Sequence, residues 1–76
     1  MQTKFKRHQK VKLLADANPE YIEYYSEKEI PIKKGMTGKI NILLPNGQYH
    51  VEIIDPKTKE TIAYVPMSEE SLEEIK

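Results

Sequence analysis

Alternation of apolar and polar side chains is the clearest signal along this chain. In "HQKVKLLAD" (8–16), Val11, Leu13 and Ala15 share one face while Lys10, Lys12 and Leu14 share the other. A period of two over that length predicts a half-buried strand. The same period returns in "TGKINILLPNGQYHVEIID", where Ile40, Ile42 and Leu44 alternate with Lys39, Asn41 and Leu43. After "PNG" it resumes, with Tyr49, Val51 and Ile53 alternating with His50 and Glu52. Asn-Gly between two such runs predicts a tight hairpin, because both residues accept positive φ in a type I′ turn. "DPKTKE" (55–60) is a second turn, in which Pro56 fixes φ and Asp55 bonds back to the backbone. "TIAYVPM" (61–67) then returns as a strand ended by Pro66, and Ser68 opens a short helical turn that faces Leu72 and Ile75 inward.

Residues 17–32, "ANPEYIEYYSEKEIPI", have no clean period. Asn18-Pro19 fits a cap and first residue of a one- or two-turn helix. Tyr and Ile equally favour extended structure. An irregular hairpin-like loop containing a helical turn reconciles the two. These elements give an all-β domain with a predicted core of Val11, Leu13, Ile32, Ile40, Ile42, Tyr49, Val51, Ile53, Ala63, Val65 and Leu72.

In that order the signals resemble an SH3-like barrel of about five strands. "VKLLADA" resembles the first strand, and the residues after it stand in the place of the long RT loop. "IPIKKGM" resembles the diverging turn, and "TKETIAYVPMSEESLEEI" the close of the fold, with a strand ending in Val-Pro and a short 3₁₀ turn. The resemblance covers residues 8–76, leaving 1–7 as a basic arm. "GMTGKI…YHVEIID" is similar to KOW-type domains and small bacterial SH3-like domains, and the latter are the nearer. The family's peptide-binding members carry a tryptophan at the start of the third strand. Tyr49 holds that place here, and "PMSEES" lacks the tyrosine of the 3₁₀ turn.

Length and composition bound what such a domain does. The 76 residues contain no cysteine, which removes disulfides, thiolate metal sites and thiol nucleophiles and fits a reducing cytoplasm. No apolar run approaches membrane-spanning length. Charged residues make up 32% of the chain at a net charge of zero, so bulk charge does not select a polyanion. The charges are segregated: residues 1–15 hold five bases and no acid, and residues 16–32 hold five acids and one lysine. Such blocks create local potentials in a neutral protein.

No catalytic, metal-binding or cofactor-binding signature is present, and the domain reads as non-enzymatic. His8 and His50 lack partners at ligand spacing. Gly35-Met36-Thr37-Gly38 matches the GXXG of a nucleic-acid clamp, but that clamp joins two helices and this one precedes a strand. Its glycines read as a tight turn and a close backbone approach. The leading functional reading is a protein-interaction module. Its contact residues are Tyr21, Tyr24, Tyr25, Glu23 and Glu27 in the loop, with Pro66 on the adjoining strand, since tyrosine buries area at interfaces while its hydroxyl stays wet. The alternative is an RNA or ribosome contact through Lys4, Lys6, Arg7 and Lys10, extended by Lys33, Lys34 and Lys39.

Overall fold

A computed structural model of the chain describes residues 5–25 and 30–75. Six antiparallel strands run in the order β1 (Lys10–Leu13), β2 (Glu23–Tyr24), β3 (Thr37–Leu43), β4 (Tyr49–Ile54), β5 (Thr61–Met67) and β6 (Leu72–Glu74). Neighbours across the single curled sheet are β2-β5-β4-β3-β1-β6. The strand beyond the five expected is the two-residue β2, inside the long loop. Short 3₁₀ turns occupy Pro19–Tyr21 and Glu69–Ser71.

The β3–β4–β5 meander supplies the centre of the core. Val51, Ile53, Ala63 and Val65 are fully buried, at 0% exposure, because successive side chains of a strand leave on opposite faces. Every predicted core residue is buried except Ile42, which is 44% exposed. A bulge causes the difference: β3 and β4 pair in register to Ile40↔Val51, then shift so that Ile42 stands opposite His50. An extra residue on one strand reverses the facing of those beyond it. Asn41 occupies the step, and its Nδ2 lies 2.9 Å from His50 Nδ1.

Three core residues lie outside the predicted set. Met67 and Ala17 are buried, and the Ala17 N–H donates to the Ile32 carbonyl. Phe5, placed by sequence in the basic arm, is 3% exposed. Its ring meets Tyr49 edge-on with centroids 5.4 Å apart, and its N–H donates to the Tyr49 hydroxyl at 3.2 Å. A turn over residues 6–9 folds it back: the Gln9 N–H donates to the Lys6 carbonyl, and the His8 N–H to Ile40.

The glycines sort by geometry. Gly35 has φ +95 with open space around the missing Cβ, and its N–H donates to the Leu13 carbonyl in the diverging turn. Gly38 is buried, and a Cβ there would lie 2.1 Å from the Glu52 carbonyl oxygen. It permits close approach of β3 to β4. The β3–β4 hairpin is not the type I′ turn expected. The Gly47 N–H donates to the Leu44 carbonyl, and Gly47 alone in that loop has positive φ. Pro45, with φ locked negative, takes the first central position. That makes a three-residue loop, a type I turn closed by a left-handed glycine.

Candidate functional site

Four stretches of chain meet at one end of the sheet's outer face. The bulge at Asn41 turns Ile42 outward, and the register then aligns Ile42, His50 and Pro66 in one row across β3, β4 and β5. Leu44 closes one side of this row and the Glu20–Glu23 segment the other, enclosing a shallow groove of ≈ 480 Å³. The loop is held there by its own chemistry. Asn18 Oδ1 accepts from the Glu20 N–H at 3.0 Å, Pro19 starts the 3₁₀ turn, and Glu23 pairs with Tyr64 on β5.

His50 is fixed on both sides. Asn41 Nδ2 lies 2.9 Å from its Nδ1 on one side. Its face stacks on Tyr64, with centroids 5.2 Å apart and planes 5° from parallel. Burial is the main cause holding the Tyr64 hydroxyl above the ordinary tyrosine pKa, with the Glu52 carboxylate and then Tyr25 adding to it. Glu52 is itself tied to Thr61, whose hydroxyl donates to Oε2 at 2.5 Å. The floor of the groove is thus apolar and aromatic, and Glu20 and Glu23 give its rim negative charge.

The residues expected at a protein contact divide among several places. Tyr21, Glu23 and Pro66 line the groove, and Tyr21 is 59% exposed. Tyr25 is exposed as well, but it lines a separate cleft with Ile30 and Ile62. Tyr24 is half-buried against the core, and its hydroxyl donates to the Ile30 carbonyl at 2.9 Å. Glu27 lies outside the described residues. Ile42, Leu44 and His50 were missed as groove residues. Apolar side chains at both parities of "INILL" are the sequence mark of the phase slip that exposes two of them. Tyr49, expected where peptide-binding SH3 domains carry their tryptophan, points into the core at 2% exposure. His50 takes the outward place beside Pro66.

The basic residues belong to several elements. Lys4 lies outside the described residues. Lys6 and Arg7 flank Phe5 beside Ile42 and Leu43. Lys33 and Lys34 sit on the diverging turn, tied to Asp16 by a 3.8 Å ion pair and by the Lys34 N–H donating to Oδ1 at 2.8 Å. Lys10 and Lys39 face each other across β1 and β3. Among the described residues no group of three or more potential metal ligands occurs, and no helix is long and apolar enough to cross a membrane.

No protein-family model matches the chain, and no curated protein matches it in sequence. Among solved structures, the fifth SH3 domain of the human KIAA0418 protein is similar. It aligns with a TM-score of 0.56 at 15% identity, over 97% of this chain and 87% of that one. Together with the all-antiparallel sheet and its 3₁₀ turns, that likeness gives this chain the SH3-like fold.

Proposed function

We propose that the chain is a non-catalytic protein-interaction module of the cytoplasm, and that its partner docks in the groove between Tyr21 and Pro66. The observation that carries this is the Ile42–His50–Pro66 row. A bulge spends an isoleucine on the outer face, where it extends an apolar floor beside an exposed tyrosine. Exposed apolar surface rimmed by polar residues is the usual mark of a binding site, and bulges re-aim side chains at such places. The SH3 domain to which the chain is similar supports an interaction role by analogy of fold, which on its own does not select a function. The Glu20 and Glu23 rim favours a partner segment with an apolar side chain flanked by lysine or arginine.

Selection of random twelve-residue peptides against the full chain tests the proposal. Bound peptides are expected to carry basic residues around an apolar centre. Their affinity is expected to fall about tenfold in Tyr21→Ala and in His50→Ala, with the amide spectrum of the fold retained. Peptides that bind both variants as tightly as the parent chain refute the assignment.

A further inference from the structure

A second cleft shares no residue with the groove. Three lysines, Lys10, Lys39 and Lys59, stand around an apolar floor of Ile54, Pro56 and Ile75 in a space of ≈ 330 Å³. Each lysine is placed by a different device. Lys10 and Lys39 are direct cross-strand partners, and both point outward because their neighbours Val11 and Gly38 are buried. Like charges placed directly opposite each other oppose strand pairing, yet the sheet brings these two together. Glu52, opposite Lys39 on β4, sets one carboxylate against the three lysines, and its Oε2 accepts from the Thr61 hydroxyl. Lys59 has φ 65, the left-handed region that non-glycine residues enter at a cost. Its N–H donates to the Asp55 carbonyl at 2.8 Å, and Asp55 Oδ1 also accepts from the Lys57 N–H at 2.8 Å. That closed turn holds Lys59 at the cleft. Among the described residues the ion pair is Lys33–Asp16, and none of the three ammonium groups is ion-paired with a described carboxylate.

We propose that this cleft docks an acidic segment of a partner protein, in which an aliphatic side chain is flanked by carboxylates. Charge complementarity calls for the carboxylates, since a like-signed cluster over low-dielectric walls concentrates its own field. Ile54, Pro56 and Ile75 supply the matching surface for the aliphatic side chain. A single-stranded nucleic acid satisfies the charge but not the floor. Such ligands stack their bases on aromatic rings, and no aromatic side chain lines this cleft. The two sites call for opposite partners, a basic segment in the groove and an acidic one here.

The probe is an array of seven-residue peptides with Leu, Ile or Val at the centre and acidic, amide or basic flanks, read with the full chain. Acidic-flanked peptides are expected to bind most strongly and to weaken as salt is raised. Their binding is expected to fall about fivefold in Lys39→Glu or Lys59→Glu, further in the double variant, and not at all in Tyr21→Ala. Lys59 is exposed on a loop, so its variant reads the cleft even where Lys39→Glu disturbs the sheet. Equal binding of amide-flanked peptides, or acidic binding that survives the double variant, overturns the proposal. So does a ten-residue oligouridine that displaces the acidic peptides at lower concentration than free peptide does, which assigns the cleft to nucleic acid instead.

Discussion

The β3–β4–β5 meander and the 14–31 loop hold similar apolar side chains and use them differently. In the meander, Tyr49, Val51 and Ile53 are the buried alternate residues of β4 and Ala63, Val65 and Met67 those of β5, and the strands are paired along their length. In the loop, Ala17 is buried, Ile22 and Tyr24 pack partly on the core, and Tyr21 and Tyr25 stand largely in solvent. Among its described residues, strand pairing is confined to the two of β2. The contrast separates two uses of apolar surface in a domain of this size. One region excludes water to hold the fold, while the other keeps area exposed for a partner. Ile42 marks the boundary, since it belongs to the meander by sequence and to the exposed surface by geometry.

Substitutions that break the meander should have the largest effects. Ile53→Ala removes a fully buried side chain and is expected to cost about 2–5 kcal/mol. That is comparable to the ~3–5 kcal/mol that a single core of this size supplies, so a chemical denaturation curve should show the variant largely unfolded. Gly38→Ala comes next. Its Cβ meets backbone, the Glu52 carbonyl, which has no rotamer to yield, and the expected loss is about 1–3 kcal/mol. Gly35→Ala meets no atom but places a Cβ at φ +95, for a loss of about 1 kcal/mol. Both glycine variants should leave peptide affinity unchanged once folded. A selective loss of affinity in either would make "GMTG" part of a site rather than the corner of a barrel.

The smallest expected effect concerns pH. Because Tyr64 is raised in the folded state, the unfolded chain releases that proton first, at the ordinary value of about 10. Tyr64's contribution to stability is therefore complete below that value and is lost as pH rises through the folded one. Urea midpoints measured from pH 8 to 11 should fall more steeply for the parent chain than for Tyr64→Phe. Parallel slopes would contradict the assignment.

Much of this division was legible beforehand. Strict alternation through Val51, Ile53, Ala63 and Val65 named the core because one face of each strand is buried, and the period records that directly. The Asn18-Pro19 start of the 3₁₀ turn was legible as a cap. Three things were not. Phe5 is buried by a turn at residues 6–9 whose positive φ at His8 has no glycine to announce it. The hairpin type followed Pro45 rather than Asn-Gly, since a fixed φ overrides a preference. The groove floor depended on the bulge at Asn41, and a one-residue slip reverses facing without changing composition. The loop tyrosines were picked out together by residue type, but only tertiary placement sets Tyr21 in the groove and Tyr25 in another cleft.

The central claim is that recognition resides in the row set outward by that bulge. Backbone amide shift mapping tests it most directly, with the ¹⁵N-labelled full chain titrated with the tightest basic-flanked peptide from the selection. The expected shifts centre on Tyr21, Ile22, Ile42 and His50, with the buried meander amides of Val51 and Ile53 little moved. Shifts centred instead on Lys6 and Arg7, or on the Lys33–Gly35 turn, would contradict the account.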